Sequence, residues 1–248
     1  MLEVKHLVKR YGPIAAVNDV SFKIGKGEVL GFLGPNGAGK TTTMRMVTGF
    51  LPPTSGTALI GGHDIQKDPV SAKRLLGYLP ESAPAYESML VRNFLQFIAE
   101  VRGMRGAEAK SAVEAAIAKC RLEDVANRAI GHLSKGYRGR VGFAQAIIHD
   151  PPILVMDEPT DGLDPNQKHT VREMIKDMAS EKAIIVSTHI LEEVDAVCTR
   201  AIIISRGKIV ANGTPDELKA MSPTGELTDV FRMLTLDEKE ATLSGEAA

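Results

Sequence analysis

Eight consecutive residues, Gly34-Pro35-Asn36-Gly37-Ala38-Gly39-Lys40-Thr41, carry the densest chemistry in this chain of 248 residues. They fit the spacing G-x-x-x-x-G-K-[ST] in full, with a further glycine at 37. Glycines let a backbone turn its N–H groups inward around phosphate oxygens, where a side chain would block the approach. A helix starting at Lys40 adds the positive end of its dipole. Lys40 brings a flexible charge suited to β- and γ-phosphates, and the Thr41 hydroxyl suits Mg²⁺. A glycine-rich turn beside a surface lysine is the plain alternative. The apolar run before the cradle and the helical pattern after it argue against that alternative.

A second cluster complements the first. Ile153-Leu154-Val155-Met156 is an apolar run that ends in two carboxylates, Asp157 and Glu158. Ligands of parallel α/β sheets bind at the carboxyl ends of the strands. Set beside the cradle there, Asp157 would reach the metal and Glu158 would face an attacking water.

The elements that must position these groups follow from periodicity. Short apolar runs alternate with helical patterns, which predicts an α/β fold with a largely parallel sheet. Strands are expected at Glu28–Leu33, Ile153–Met156, Ala183–Ser187 and Ala201–Ser205. Leu2–Lys5 and Ser21–Ile24 instead alternate apolar with polar, as antiparallel strands with one wet face do. No strand is expected from about 89 to 149, where Ala109, Ala112, Val113, Ala116, Ile117 and Cys120 mark one helical stripe. Asp164-Pro165-Asn166-Gln167 and Thr214-Pro215-Asp216-Glu217 each offer an N-cap, a first-turn proline and a residue to close a capping box. The tail after Asp237 is small and polar and is expected to fray.

Composition excludes several classes. Thirty Lys+Arg against thirty-one Asp+Glu give a net charge of -1, which argues against a broadly basic nucleic-acid binder. No run approaches the roughly 18 apolar residues of a membrane helix. The opening MLEVKHLVKRYG alternates charged and apolar residues, unlike a signal peptide. Cys120 and Cys198 make neither a metal spacing nor a disulfide framework and read as thiols of a reducing compartment. His6, His63, His132, His149 and His169 show no ligand spacing. Met44, Met46, Met174 and Met178 read as packing residues. Arg138 and Arg140 suit either a solvated face or a contact to nucleotide or partner. A guanine-reading Asn-Lys-x-Asp is absent, so a small GTPase is excluded.

Further motifs point to one family. Leu133-Ser134-Lys135-Gly136-Tyr137 begins a run, LSKGYRGRVGFAQA, that resembles the LSGGQ signature of ABC ATPases, with Ser134 lying 23 residues before Asp157. Gly162-Leu163-Asp164 looks like their D-loop, and Ser187-Thr188-His189 like their switch histidine. Tyr11, before Gly12, sits where the family stacks a ring on adenine. From residue 2 to about 221 the chain resembles an ABC transporter ATP-binding subunit, closest to the subgroup of drug-resistance and gliding-motility exporters.

That resemblance implies an α/β P-loop NTPase fold with a RecA-like core. It also implies an N-terminal antiparallel β subdomain and a helical subdomain inserted at about 83–150. Residues 1–221 would form the ATPase domain and 222–248 a short C-terminal extension. It implies ATP and Mg²⁺ as cofactors. Gly34, Pro35, Asn36, Gly37, Ala38, Gly39, Lys40, Thr41 and Thr42 would cradle the phosphates, with Tyr11 on the base and Glu81, Ser134 and Gly136 completing the site. Thr41 and Asp157 would hold the metal, and Glu158 and His189 would be catalytic. One chain carries one cradle and one signature, so the resemblance implies a homodimer, or a heterodimer with another ATPase subunit. It further implies a separate transmembrane permease, no nucleic-acid partner, and a peripheral place on the cytoplasmic face of the membrane. A soluble ABC ATPase of an assembly or repair system is the alternative, and a cluster-assembly ATPase fits the length. Two segments depart from the commonest pattern, the signature at two positions and the segment ending at 81 at one. Lys135 and Tyr137 replace Gly and Gln, and Glu81 replaces a glutamine, so it accepts hydrogen bonds without donating them.

Overall fold

The structure, a computed structural model, describes residues 1–82 and 84–236. Two sheets and a group of helices build it. A four-stranded antiparallel sheet holds β1 (Leu2–Tyr11), β2 (Ile14–Ile24), β4 (Ser55–Ile60) and β5 (His63–Asp64) in the order β2-β1-β4-β5. A six-stranded sheet holds β3 (Val29–Leu33), β6 (Leu76–Leu79), β7 (Ile153–Asp157), β8 (Ala183–Thr188), β9 (Arg200–Ser205) and β10 (Lys208–Gly213) in the order β10-β9-β3-β8-β7-β6. All its pairings are parallel except the edge pair β9–β10.

The register of this second sheet sets the site. Leu33 pairs with Thr188, and Ser187 pairs with Asp157. The carboxyl ends of β3, β8 and β7 therefore stand side by side, and the loops that follow them open at one edge. Strands β3, β7 and β8 are buried along their whole length, as expected of parallel strands covered on both faces. Their boundaries agree with the sequence expectation to within one residue.

Helix α1 (Lys40–Val47) leaves the cradle and drives Met44, Met46 and Val47 between the two sheets. Phe22 of β2 and Phe32 of β3 meet there with ring centroids 5.6 Å apart. Helix α2 (Pro69–Arg74) precedes β6. Helices α3 (Val91–Val101), α4 (Gly106–Lys119) and α5 (Lys135–Ile147) share one apolar cluster, to which the stripe Ala109, Val113, Ala116, Ile117 and Cys120 contributes. Among the described residues, 89–149 hold no strand, only an isolated bridge between Leu90 and Ala129.

Helices α6 (Pro165–Ala179), α7 (Leu191–Val197), α8 (Pro215–Lys219) and α9 (Leu227–Thr235) complete the chain. Thr214 and Glu217 close the expected capping box on α8. At α6 only half of the motif forms. Asp164 accepts from the N–H groups of Asn166 and Gln167, while the Gln167 side chain lies against Gly136 instead of turning back to the cap. The expected fraying after Asp237 falls outside the described residues. Among the described residues no helix is long and apolar enough to cross a membrane.

Strands β4, β5, β6 and β10 were not expected from the sequence. Strand β4 opens with Ser55-Gly56-Thr57, β6 has four residues and a glycine, and β10 is a half-exposed edge. Each is too short or too polar for a period of two to stand out.

Both thiols are free, and burial pushes each up to about 12. At pH 8 Cys120 and Cys198 therefore stay protonated, and the thiolate is the reactive form. A thiol-specific chromogenic reagent is expected to label neither at an appreciable rate until denaturant is added. Rapid labelling of the native protein would contradict their burial.

Candidate nucleotide site

The loop after β3 is shaped by what its glycines touch. A β-carbon on Gly34 would lie 2.5 Å from the Ile204 carbonyl oxygen, and one on Gly39 2.5 Å from that of Ala16. Gly39 also adopts φ 105°, a left-handed conformation, as the cap of α1. Only glycine fits at either place. The loop so formed aims Lys40 inward, leaving it 6% exposed. Its ammonium donates to the carbonyls of Gly34 at 2.7 Å and Pro35 at 3.3 Å. It also pairs with Glu158 Oε1 at 3.3 Å.

Asp157 ends β7 at 1% exposure. Its Oδ1 accepts from the hydroxyls of Thr41, at 3.3 Å, and Ser187. Its Oδ2 is buried with no hydrogen-bond partner. An orphaned buried carboxylate oxygen is costly, and the other oxygen of this carboxylate holds the Thr41 hydroxyl. Hard oxygen donors from one carboxylate and one hydroxyl suit Mg²⁺, which takes few protein ligands and completes its shell with phosphates and water. Consistent with that, no cluster of three or more His, Cys, Asp or Glu able to cage a metal occurs among the described residues.

Glu158 stands in the left-handed region at φ 52°, which a non-glycine residue adopts at a cost. Its N–H donates to the carbonyl of Ser187 at 3.1 Å and to the Ser187 hydroxyl at 3.2 Å. Its side chain bridges Lys40 and His189, whose Nδ1 lies 2.8 Å from Oε2. The carboxylate is thus held from both sides above the cradle.

Lys40, Thr41, Glu158 and His189 share a cavity of about 350 Å³, whose wall also includes Pro35, Asn36, Gly37, Gly39, Thr42 and Glu81. Asp157 is buried and not part of that wall, and meets it through the Thr41 hydroxyl. Gly34 and Ala38 lie behind this wall as buried backbone. Ala16 and Asp161 also line the cavity, and the motifs did not point to either. Ala16 sits in a strand of ordinary pattern. Asp161 had only its position three residues after Glu158 as a signal.

Tyr11, Ser134 and Gly136 do not line this cavity. Tyr11 is 51% exposed at the end of β1, with the Lys9 ammonium 5.3 Å from its ring centroid. Ser134 caps α5, its hydroxyl accepting from the Tyr137 N–H at 3.4 Å. A β-carbon on Gly136 would meet the Gln167 side chain at 2.8 Å.

The family described as ABC transporter matches residues 17–161, more than half of the chain. The chain belongs to the ABC transporter family. The ABC transporter ATP-binding protein NatA of Bacillus subtilis (strain 168) is 38% identical over 220 residues, 88% of this chain and 89% of that protein. The probable multidrug ABC transporter ATP-binding protein YbhF of Escherichia coli (strain K12) is 37% identical over 230 residues, 92% of this chain. The chain spans only 40% of that longer relative. A solved structure described as the ATP binding subunit of an ABC transporter superposes with a TM-score of 0.84 at 30% identity, over 94% of this chain and 99% of that one. The fold of this ABC-family chain is therefore that of a P-loop cassette, in which the six-stranded sheet carries the cradle.

The two arginines of this ABC cassette part company. Arg140 is buried, donates to the Arg121 carbonyl at 2.8 Å and stacks with its guanidinium 4.1 Å from the centroid of Tyr137. It is a packing residue and not part of a solvated face. The aromatic ring at 137, one of the two departures in the signature, is what covers it. Arg138 instead faces a second cavity beside β6.

Proposed function

We propose that this cassette binds ATP with Mg²⁺ and hydrolyses it to drive a transporter, an exporter by the kinship with a probable multidrug relative. The observation that carries the reading is the meeting of Lys40, Thr41 and the Glu158–His189 pair around one cavity, with Asp157 buried behind its wall and bonded to the Thr41 hydroxyl. When bound, Mg²⁺ would shield the phosphate charge and order the oxygens around it. Thr41 and Asp157 would hold it, with Glu81 at the wall. Lys40 exchanges its two loop carbonyls for β- and γ-phosphate oxygens. Glu158, released from Lys40, takes a proton from the attacking water, and His189 keeps its carboxylate in place. Gly34 to Thr42 supply the phosphate-facing backbone. Tyr11 offers a stacking face for adenine.

Ser134 and Gly136 lie off their own cavity and serve a partner's nucleotide. Two copies, or this chain and a second ATPase subunit, would sandwich two ATP molecules. Residues 1–221 form the ATPase domain, with α3–α5 in the inserted lobe at about 83–150 and 222–248 as an extension. The energy passes to a separate transmembrane permease, which places the cassette on the cytoplasmic face of the membrane. No nucleic-acid partner enters this reading.

Lys40→Ala tests it. Charged hydrogen bonds contribute about 1.5–3 kcal/mol each, so ATP affinity is expected to fall about ten- to a hundredfold in a titration with a fluorescent ATP analogue. Unchanged affinity and turnover would sink the assignment. Tyr11→Ala is expected to cost roughly 1–3 kcal/mol of nucleotide binding, the value of stacking a base on an aromatic ring. The loss should be similar for ATP and GTP, because every base offers a π-face. Equal binding by variant and wild type would leave Tyr11 a strand-end residue only.

A further inference from the structure

A cavity of about 600 Å³ lies between β6, α5 and the loop after β7. Glu81, Glu158 and Asp161 line both this cavity and the nucleotide cavity. Three carboxylates therefore make up the partition between the two. Facing it from the first turn of α5 are Lys135 and Arg138.

Lys135 makes the direct contact. Its Nζ lies 3.6 Å from Asp161 Oδ2. The ammonium rests over Gly162, at φ 63°, where a β-carbon would overlap it. One residue further along α5, Gly136 packs on the Gln167 side chain at the start of α6. The turn from Glu158 to Asp161 is closed by a hydrogen bond from the Asp161 N–H to the Glu158 carbonyl at 3.1 Å. A displacement of Asp161 is thus transmitted to the peptide of Glu158, which is already held in a left-handed conformation. Like charges crowded around a polyphosphate site repel, so a cation on the far side of the partition steadies the turn. The two side chains are 60% and 45% exposed, so such a pair adds little to global stability. Its effect falls on where a short loop sits.

We infer that Lys135 and Asp161 are a positioning pair that ties the Glu158–Asp161 turn to the first turn of α5 in the same chain, so that the seating of the helical lobe sets the rate of hydrolysis and not the affinity for ATP. A glycine at 135, the commoner residue of the signature, has no side chain to make this link. The inference rests on the reading of Glu158 as the base.

The test compares kcat and KM for ATP, with Mg²⁺, in wild type, Lys135→Asp, Asp161→Lys and the doubly exchanged variant. Each single change is expected to lower kcat about three- to fivefold with KM within about twofold, the scale of an exposed ion pair. The exchanged pair should return kcat to within about twofold of wild type, a coupling that independent sites do not show. A Lys135 that acted only on a partner's nucleotide would gain nothing from moving the charge to 161. A double variant as slow as the product of its singles, or effects confined to KM, overturns the pair. Should a charge reversal fail to fold by circular dichroism, Lys135→Met and Asp161→Asn form the cycle, and additivity there overturns it equally. Glu158→Gln, assayed alongside, separates the two failures. Near-normal turnover in it sinks the reading of Glu158, and the pair's role with it. Slow turnover together with additive pair variants sinks the pair alone.

Discussion

Glu158→Gln is expected to bind ATP and Mg²⁺ and to hydrolyse about 10²–10⁴-fold more slowly, the usual cost of losing a positioned base. The substitution keeps the size of the side chain and removes its capacity to take a proton. Asp157, bonded to the Thr41 and Ser187 hydroxyls, is untouched by the change and would still hold the metal. The backbone at 158 stays pinned, because its N–H donates to Ser187 and its carbonyl accepts from the Asp161 N–H, and none of these bonds involves the Glu158 side chain. Binding is expected to hold or tighten. The Glu158 carboxylate pairs with Lys40 at 3.3 Å, and a neutral amide releases that ammonium for phosphate more readily. An ATPase assay beside a nucleotide titration checks both halves. Light scattering adds a third readout, since ATP that persists should accumulate a dimer. Near-normal turnover would remove Glu158 from catalysis. Slow turnover with no ATP-dependent dimer would leave the base standing and the sandwich unsupported.

The parts of the site that were legible in the sequence are those whose residue types are dictated by a tight backbone loop at a helix start. Gly34 and Gly39 admit no β-carbon, and Lys40 and Thr41 follow at fixed spacing on a helix start. Asp157 and Glu158 were legible because β7 is buried on both faces, so an apolar run stops abruptly at two charges. Strands β4 and β10 were hidden for the opposite reason. Partial exposure dilutes their patterns, and pairing to β1 and β9 is a tertiary fact. Asp161 and Ala16 stayed hidden because one sits in a turn and the other in a strand of ordinary pattern. The left-handed Glu158 had no signal either. Nothing in a glutamate announces φ 52°, and only the donors from one N–H to Ser187 account for it. The unexpected lysine in the signature was visible as a departure, while its partner across the lobe boundary was not.

Ser134→Arg is expected to abolish turnover while each chain still binds ATP. Ser134 is the N-cap of α5, and the N–H groups at that end, with the helix dipole, suit an anion. The hydroxyl lies off its own chain's cavity, so the proposed anion is the γ-phosphate held by a partner's cradle. An arginine there fills the space that phosphate needs and forfeits the cap, a loss of about 1 kcal/mol that the fold can bear. Mixing this variant with Lys40→Ala makes the geometry decisive. In a mixed pair, the intact cradle of the Ser134→Arg chain meets the intact signature of the Lys40→Ala chain. The other composite site carries both lesions. If the sites act independently, random pairing of equal amounts leaves half of the dimers mixed and one of two sites intact in each, so about a quarter of wild-type turnover should return from two silent proteins. An ATPase assay of the mixture, with mixed dimers verified by differently tagged chains, measures it. Recovery near that level supports a nucleotide shared between two chains. No recovery despite verified mixed dimers would mean either that both sites must fire together or that Ser134 acts within its own chain. Ser134→Arg alone decides between those two, because a role in its own chain would weaken ATP binding by the isolated monomer as well.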